Sequence, residues 1–578
     1  MDKKYRINLI FIILLLISVY SQFSRGFGNV NSTQKLNFTL SIYVDGDVDF
    51  ASQASTWGWT GNGTISYPYI IEDYSFNNLP DNGIWISNTT AYFIINNVTI
   101  NNATNYGIYL KNVTNGVIQN SHFEKTYTGI YLQNVSYVTI NSNVVYNSTF
   151  HGIYLRDGSK FNSLSFNNIS GTINRSGLAL VYNASYNNIQ RNNIYRCNAG
   201  IFIGYESNYN VIENNYLYEN INDGIQIRTG SFNEFKDNEI YKNGLDGLNV
   251  NTNSANNNIH NNVLQGNGNN GIYIFESNFN YIETNLINYN LQSGILIEEY
   301  SKNNLIENND AVFNTLSGFR LNNTKLNILK HNIAENNGFG GFGIANSSEI
   351  QLSDNKAISN NRSGFFNFHC SDLSIDYNYA ENNTNGISLV FTNNSIIDYN
   401  ILYRNREDGF YLHSANSNWI TMNEANQSYN YGVFLTNAQN NTIYFNKFYG
   451  YNNTHNQGYS DNNFNILSFD GIGNYWSDYN GYDTDNDGIG DIPYSLQGDQ
   501  GEIDRYPLMN DYYEPPTSDP SSSSTSGTTT TTFDDIFSSY PDESKGNSIT
   551  TTPGFGLLLF FLTNFITVIY LRKKNNLN

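Results

Sequence analysis

The segment Gly271–Gly294 reads GIYIFESNFNYIETNLINYNLQSG. It opens with glycine followed by an apolar, a variable and an apolar residue, and a second strand-like run, Ile282–Ile287, follows within the same period. The glycine pattern recurs sixteen times, with glycines at 83, 107, 129, 152, 177, 200, 224, 247, 271, 294, 318, 341, 364, 386, 409 and 432. A repeat of 22 to 25 residues is typical of a solenoid, in which each turn packs on its neighbours.

The second half of each repeat decides which solenoid this is. Leucine-rich repeats share the period, but they place a helical segment there and are dominated by leucine. Here that half is another short strand, as in Phe235–Ile240 and Ile420–Ala425, and no stretch shows helical periodicity. The sequence therefore predicts an all-β fold, a right-handed parallel β-helix solenoid of about 16 turns.

Asparagine fills 104 positions, and the repeat explains why it is so frequent. One series keeps register in the second strand-like run: Asn143, Asn167, Asn192, Asn215, Asn238, Asn262, Asn285, Asn309, Asn332, Asn355, Asn378, Asn400, Asn423 and Asn446. A second series lies five residues further on: Asn220, Asn243, Asn267, Asn290, Asn314, Asn337, Asn360 and Asn405. Stacked turns bring these amides about 4.8 Å apart, so each is expected to hydrogen-bond to its neighbours above and below. Asparagine also tolerates the left-handed conformation that a β-helix corner requires.

The two cysteines test this arrangement. Cys197 occupies a position of the second asparagine series, and Cys370 lies seven turns further along the chain. At about 4.8 Å per turn the two would be about 34 Å apart, whereas a disulfide needs Cα atoms within about 7 Å. Both cysteines are therefore predicted to be free and structural.

The formal net charge is −21 and the pI is near 4.6. Such a surface repels nucleic acid, whose binding depends on basic side chains, and it excludes a nucleic-acid partner. It is compatible with cations, neutral glycans or basic partners.

Both ends of the chain predict export and a membrane anchor. Basic residues precede the apolar run Leu9–Tyr20, which is the pattern of a signal peptide or an uncleaved signal anchor. Near the other end, Gly554–Leu571 is long enough to span a membrane, and Arg572, Lys573 and Lys574 follow it. The intervening Glu514–Thr552 is rich in Ser, Thr and Pro and is predicted to be a stalk.

These observations predict a single-pass protein on the cell surface with a cytoplasmic C-terminal tail. The predicted segments are a signal peptide or signal anchor (1–24), an N-terminal cap (37–80), the β-helix repeats (81–470), a C-terminal cap with an Asp-rich loop (471–511), the stalk (512–552), a transmembrane helix (553–571) and a basic tail (572–578).

Motifs at the two ends of the repeats carry a family resemblance. The first is Gly61–Glu72, GNGTISYPYIIE, and the others are Gly473–Tyr479, GNYWSDY, and Asp504–Leu508, DRYPL. With the repeats between them, residues 40 to 510 resemble the NosD-like parallel β-helix proteins, which are also grouped as carbohydrate-binding and sugar-hydrolase domains. The family's prototype supports copper-site maturation. Copper needs soft or imidazole ligands, and the seven scattered histidines form no such cluster, so the copper role is not carried over.

Two aspartates are the weak candidates for catalysis. Asp223 and Asp246 precede repeat glycines in adjacent turns, about 5 Å apart by strand spacing, which resembles the carboxylate pair of a retaining glycosidase. The same position holds Asn82, Ser176, Asn270, Ser293, Ser317 and Asn385 in other repeats. This variation favours a small polar turn residue over a catalytic pair.

An aromatic column is the stronger candidate for binding. The variable residue of the glycine strand is expected to point outward, because side chains alternate between the faces of a strand. In five of the first seven repeats it is aromatic: Trp85, Tyr109, Tyr131, Tyr154 and Phe202. Sugars stack on such rings, and exposed apolar stripes mark binding sites, so this column is predicted to bind carbohydrate. Stacked aromatics also stabilise parallel strands, and that alternative stays open.

The acidic stretch Gly481–Tyr494, GYDTDNDGIGDIPY, resembles a calcium loop. Asp483, Asp485, Asp487, Gly488 and Asp491 follow the spacing of positions 1, 3, 5, 6 and 9. Position 12 is Tyr494 instead of glutamate, so a backbone carbonyl, water, Asp499 or Glu502 would have to complete the shell. The sequence predicts a structural Ca²⁺ site in a cap, with an ordinary acidic turn as the alternative.

Three hypotheses for function follow. The leading one is a membrane-anchored, non-enzymatic β-helix that binds glycans or other cell-envelope partners. A polysaccharide lyase or glycoside hydrolase on the same scaffold is the second, and a structural surface-layer spacer is the third.

Overall fold

The computed structural model describes residues 36–38, 40–450, 452–458, 461–464, 471–498 and 501–511, all within one compact unit. The predicted signal segment 1–24, stalk 512–552, transmembrane helix 553–571 and tail 572–578 lie outside the described residues. Within the part that is described, no helix is long and apolar enough to cross a membrane.

The described chain forms a right-handed parallel β-helix of about 17 turns, which confirms the predicted fold. Each full turn contributes a strand to three parallel sheets, and the hydrogen-bonded partner of almost every strand lies one turn away. The strands of the first sheet are Ile42–Asp45, Ile84–Thr89, Tyr106–Gln119, Thr128–Asn141, His151–Arg156, Leu178–Val181, Ile201–Gly204, Ile225–Arg228, Leu248–Asn251, Ile272–Phe275, Ile295–Glu298, Phe319–Asn322, Phe342–Ala345, Phe365–Phe368, Ile387–Val390, Phe410–His413, Val433–Thr436 and Thr454–Gln457.

The second sheet follows the first along each turn, and Tyr106–Gln119 and Thr128–Asn141 continue into it without a break. Its other strands are Tyr69–Glu72, Phe93–Asn96, Ser163–Ser165, Asn188–Gln190, Val211–Glu213, Glu234–Lys236, Asn258–His260, Tyr281–Glu283, Leu305–Glu307, Ile328–Lys330, Gln351–Ser353, Ser374–Asp376, Ile396–Asp398, Trp419–Thr421, Gln439–Tyr444 and Asp461–Asn463.

The third sheet completes each turn and has 19 strands among the described residues. They are Leu36–Phe38, Tyr74–Asn77, Thr99–Asn101, His122–Glu124, Val144–Tyr146, Asn168–Ser170, Asn193–Tyr195, Tyr216–Tyr218, Glu239–Tyr241, Val263–Gln265, Leu286–Asn288, Asp310–Val312, Ile333–Glu335, Lys356–Ile358, Tyr379–Glu381, Ile401–Tyr403, Glu424–Asn426, Lys447–Tyr449 and Tyr475–Trp476.

The repeat glycine is explained by the close approach of successive turns. A Cβ atom on Gly271 would lie 2.2 Å from Cγ2 of Ile287 in the third sheet and 2.8 Å from the carbonyl oxygen of Gly294 in the next turn. The apolar residues on either side of the variable position, such as Ile272 and Ile274, are fully buried in the central core. Glycine therefore allows the first and third sheets to meet.

Both asparagine ladders form as predicted. In the first, the backbone N–H and Nδ2 of Asn215 both donate to Oδ1 of Asn238 at 3.0 Å. The Nδ2 of Asn215 also donates to the carbonyl of Ile189, so the amide closes hydrogen bonds to the turns on both sides. In the second ladder the N–H of Cys197 donates to Oδ1 of Asn220. Cys197 and Cys370 are both free and buried, as predicted.

A third ladder precedes the second sheet and was not predicted. Its members are Asn162, Asn187, Asn210, Asn233, Asn257, Asn280, Asn304, Asn327, Asn418, Asn441 and Asn462. The left-handed conformation also falls on other residues than expected. It belongs to the residue before the first-ladder amide, such as Arg191, Asn214 or His331, and the first-ladder asparagines themselves do not have positive φ.

The N-terminal cap contains one helix, Asp47–Trp57, between Gly46 and Gly58. This contradicts the expectation that no stretch is helical. Phe50 of the helix is fully buried, and its ring stacks on Tyr69 with a centroid distance of 4.6 Å. Asp47 and Asp49 lie in the first turn, where carboxylates stabilise the helix by interacting with the positive end of its dipole.

The C-terminal cap ends two of the ladders on carboxylates. The N–H and Nδ2 of Asn474 continue the first ladder and donate to Oδ2 of buried Asp504. The N–H and Nδ2 of Asn462 end the third ladder on Oε1 of Glu502. The ring of Trp476 covers the core between Phe448 and Tyr494, with both centroid distances at 4.6 Å. The family-like motifs GNYWSDY and DRYPL therefore close the end of the solenoid.

Candidate functional site

The predicted carbohydrate-binding column lies on the outer face of the first sheet. Tyr109, Tyr131 and Tyr154 stack with centroid distances of 4.9 and 5.2 Å, and they are only 8, 6 and 9% exposed. The expectation of an exposed stripe is wrong for these three residues, because Tyr106, the first residue of its strand, and Phe150, which lies just before His151–Arg156, pack against the column.

The ends of the same column are less buried. Trp85 lies half-buried between Tyr43 and Tyr109, and Phe202 is separated from Tyr154 by the fully buried Ala179. The structure therefore leaves no continuous row of free ring faces along these five residues. Stacking on sugar rings requires such faces.

The two weak catalytic candidates are brought together, but their carboxylates are buried. Asp223 and Asp246 are 2 and 4% exposed. Oδ1 of Asp223 accepts the N–H of Asp246 at 3.0 Å, and Oδ1 of Asp246 accepts the N–H of Asn270 at 2.9 Å. Asn249 donates from Nδ2 to the second oxygen of Asp223.

Burial, together with the nearby charge of Asp246, raises the pKa of Asp223 to about 7, and burial raises the pKa of Asp246 to about 6. The same hydrogen bond to the next turn is made by Asn270, Asn385 and Asp408. This geometry fits the turn residue that the sequence favoured: the oxygens hold the corner of the solenoid.

A second aromatic column, which is exposed, lies outside the glycine strand and was not predicted. We call it the aromatic ridge: Tyr137, Phe161, Tyr186, Tyr209 and Phe232. It runs along the corner between the first and second sheets on five consecutive turns. The rings stack at centroid distances of 4.9 to 5.4 Å and remain 43 to 58% exposed. The spacing of 23 to 25 residues between these aromatics was the available signal.

Every ridge residue has a left-handed backbone, with φ between 57° and 59°. The same corner position is asparagine in other turns, as at Asn256 and Asn303. Asparagine adopts this conformation readily, whereas a bulky aromatic residue does so rarely. The fold alone therefore does not require aromatics at this position.

The Asp-rich loop has the arrangement expected of a cation site. Carboxylate oxygens of Asp483, Asp485 and Asp487 lie within 4.8 Å of one another. The loop is folded by its own carboxylates, since Asp483 accepts the N–H groups of Asn486 and Gly488. The predicted fourth ligand, Asp491, lies outside this group and accepts the N–H of Thr484.

Glu502 and Tyr494 do not supply the twelfth-position ligand of the predicted calcium site. Glu502 binds the amides of Asn462 and Asn456, and Tyr494 is buried against Trp476. Asp499 lies outside the described residues. The loop thus offers three convergent carboxylates and no further side-chain ligand at position 12.

Family models match two parts of the chain. The "Right handed beta helix region" family matches residues 50–175 and 128–287, and the "Periplasmic copper-binding protein (NosD)" family matches residues 310–481. The chain is a NosD-like β-helix repeat protein. No curated protein matches this NosD-like chain.

Solved enzyme structures are similar to the NosD-like chain at low identity. The periplasmic alginate epimerase AlgG has 15% identity, with 47% of this chain and 85% of that chain covered and a TM-score of 0.35. The Azotobacter vinelandii mannuronan C-5 epimerase AlgE4 A-module has 14% identity and a TM-score of 0.35, with 57% of this chain and 89% of that chain covered. The DFA-IIIase of Arthrobacter chlorophenolicus A6 has 12% identity and a TM-score of 0.34, with 50% of this chain and 88% of that chain covered. None of their activities is carried over to this chain.

The described residues of the NosD-like chain do not fit a copper site. Copper prefers thiolate, thioether or imidazole ligands. Burial raises the pKa of Cys197 and of Cys370 to about 11, so both thiols stay protonated, and they lie on turns far apart. Among these residues, the only three His, Cys, Asp or Glu side chains that converge are the loop aspartates, which are hard oxygen donors.

Proposed function

We propose that this protein is an extracytoplasmic, non-catalytic β-helix that binds carbohydrate along the aromatic ridge. The observation that carries the proposal is the ridge itself, five consecutive turns with half-exposed stacked rings in left-handed backbones. Exposed apolar stripes on soluble domains mark binding surfaces. The ridge takes over the role first predicted for the buried column of Tyr109, Tyr131 and Tyr154.

Energetics support a role beyond stability. A left-handed backbone costs a non-glycine residue about 1–2 kcal/mol, and a stacked aromatic pair contributes about 0.5–1.5 kcal/mol. The two effects roughly cancel, so the fold gains little from tyrosine where asparagine would serve. Successive rings about 5 Å apart along the rod provide a repeating surface, which suits a repeating ligand such as a polysaccharide.

The location is supported by sequence on both sides of the solenoid. The NosD family model is described as periplasmic, and a signal segment is predicted over 1–24. In this proposal the segment 553–571 anchors the protein in the membrane, and the ligand is a glycan of the cell envelope or its surroundings.

The test compares the full-length protein with a ridge variant, Tyr186→Asn with Tyr209→Asn. The matched control is Tyr289→Asn with Phe313→Asn, which removes an equally exposed stacked pair with left-handed backbones from another corner. Binding to a panel of neutral and acidic polysaccharides is measured by affinity electrophoresis.

The ridge variant is expected to bind about five- to tenfold more weakly, because two ring contacts are lost, while the control binds as the wild type does. Equal binding by all three proteins would contradict the proposal. Release of reducing sugars by the wild type would show that the protein is an enzyme.

A further inference from the structure

A groove of about 680 Å³ lies on the same corner as the aromatic ridge, several turns further along the rod. Lys302, Lys325, Ser348 and Ser371 form its floor on four successive turns, paired through parallel backbone bridges. Tyr300, which is 72% exposed, stands at one end, and His369 lines the other.

The groove is basic in a strongly acidic protein. The chain has 50 Asp and Glu against 29 Lys and Arg, yet the lining contains two lysines, a histidine and no carboxylate. Among the described residues Lys302 forms no ion pair, so its ammonium is available to a ligand.

Two glutamates lie at the rim and are already engaged. Glu349 approaches Lys325 with a 4.0 Å separation of Oε1 and Nζ, which is a weak, solvent-exposed pair. Glu299 accepts a hydrogen bond from Nδ2 of Asn323 at 2.9 Å. Neither carboxylate fills the groove between the lysines.

The other groups that line the groove suit a sugar. Serine hydroxyls and asparagine amides both donate and accept hydrogen bonds, as sugar hydroxyls require. The open ring of Tyr300 offers a face for stacking, and the ring of His369 is held by stacking on Phe391 at 4.7 Å.

The groove continues the surface that begins with the ridge. Lys302 immediately precedes Asn303, which occupies the ridge position in its own turn. The N–H of Phe279, the exposed aromatic at the ridge position one turn earlier, donates to the carbonyl of Lys302 at 3.2 Å. One extended chain lying along this corner would contact both surfaces.

We propose that the groove binds an anionic sugar, bearing a carboxylate or a sulfate, within a polysaccharide that also contacts the aromatic ridge. Lys302 and Lys325 bind the anionic group, Ser348 and Ser371 bind hydroxyls, and Tyr300 stacks on the sugar ring. This inference rests on the proposed function and adds that the bound polysaccharide is anionic.

The test uses the full-length protein and three probes in titration calorimetry: an oligogalacturonate, a sulfated chondroitin oligosaccharide and a neutral cello-oligosaccharide. The groove variant is Lys302→Gln with Lys325→Gln. The control is Lys242→Gln with Lys356→Gln, which removes two exposed lysines on other faces of the rod.

The inference predicts that at least one acidic probe binds more tightly than the neutral probe, and that the groove variant weakens it about tenfold while the control does not. Added salt should weaken the acidic probe and leave the neutral one unchanged. The chondroitin probe carries both carboxylates and sulfates, so tighter binding of it than of the oligogalacturonate would indicate a preference for sulfate, and the reverse order a preference for carboxylate.

Undiminished binding of the acidic probes to the groove variant, or no binding of them to the wild type, would overturn the inference. If a neutral polysaccharide still depended on Tyr186 and Tyr209, the proposed function would stand while the groove proposal fell. Equal loss of acidic-probe binding in the groove variant and in the control would show that binding depends only on the net charge of the protein. That result would also refute the groove proposal.

Discussion

Among single residues, asparagine does most to specify this fold. A first-ladder amide such as that of Asn215 makes its hydrogen bonds with two other turns, and its own backbone N–H is satisfied by the next amide. Buried polar groups that are fully paired add specificity, whereas an unpaired one costs about 1–3 kcal/mol. Asp223, Asp246 and Asp408, which precede repeat glycines, also accept a backbone N–H of the next turn, but they carry a charge that the interior disfavours.

These aspartates make stability depend on pH. Burial raises the pKa of Asp223 and of Asp408 to about 7 and that of Asp246 to about 6, from an ordinary value near 3.8. The folded state therefore holds protons that the unfolded state releases, and the resulting stabilisation is full below about pH 4 and lost as the pH rises through 6 to 7. His151 acts in the opposite direction, because burial lowers its pKa to about 4.

We expect the triple variant Asp223→Asn, Asp246→Asn, Asp408→Asn to be more stable than the wild type at pH 8. Each pKa unit corresponds to about 1.4 kcal/mol, so the gain should reach several kcal/mol and should vanish towards pH 4. Denaturant unfolding of both proteins across this range measures the difference, in which the effect of His151 cancels.

Asp372→Asn, on an exposed corner, is the control and should change nothing. A triple variant no more stable than the wild type at pH 8 would show that the carboxylates are not charged and buried as described.

At this scale the sequence predicted which face a residue occupies and failed to predict what covers it. Strand alternation correctly placed Tyr109 outside the central core. The burial of that ring depends on Tyr106, the first residue of the same strand, whose ring packs against it at a centroid distance of 5.1 Å. The third ladder was missed because Ile350, Leu373 and Ser395 interrupt its register.

Among the elements, strands were predictable and corners were not. The glycine strand has one dominant period, so its existence and face follow from the sequence. The helix Asp47–Trp57 has acidic residues in its first turn and only two buried side chains, Phe50 and Ala54. Two buried positions give only a weak helical periodicity in the sequence.

The Asp-rich loop is the element whose chemistry can be tested most directly. Three carboxylates that converge without a cation repel one another, so Ca²⁺ should bind them and stabilise the cap. We expect the melting temperature of the protein to rise by a few degrees in calcium over chelator, since a ligand at 100 times its Kd adds about 2.7 kcal/mol.

The variant Asp483→Asn with Asp487→Asn should lose this response. Asp491→Asn should keep most of it, because Asp491 lies outside the convergent group. An identical midpoint in calcium and in chelator for the wild type would mean that the loop is an acidic turn held by its own hydrogen bonds.

For the whole molecule, the architecture depends on contacts between neighbouring turns. Hydrogen bonds of the ladders and sheets connect residues about 23 positions apart, so one turn can be exchanged for another of the same length. The sequence predicted this scale best, since the period alone defined the solenoid. It did not predict how the ends are closed, because each cap occurs once and has no repeat to reveal it.

Deletion of residues 247–270 should therefore leave a folded rod that is one turn shorter. Asp246 would then precede Gly271, and Asn238 would meet Asn285, so both the corner and the first ladder continue in register. We expect the same circular dichroism spectrum and a melting temperature within a few degrees of the wild type.

Deletion of residues 247–258 removes half a turn and should abolish cooperative unfolding, because it shifts every later strand to another sheet. Equal damage from both deletions would contradict a fold based on neighbouring turns.

The termination of two ladders on Asp504 and Glu502 gives the rod a polarity. In a ladder amide such as that of Asn215, Oδ1 accepts from the amide of the preceding turn and Nδ2 donates to Oδ1 of the following one, while Nδ2 also donates to a carbonyl of the preceding turn. The amide-to-amide bonds therefore all run in one direction along the axis. The donor end of these two ladders lies at the last turn, where a carboxylate accepts its hydrogen bonds, much as an acidic residue does at the start of a helix. The two ends of the rod therefore differ electrostatically. Head-to-tail association of two such rods is opposed at the last turn, where Asp504 and Glu502 already carry negative charge.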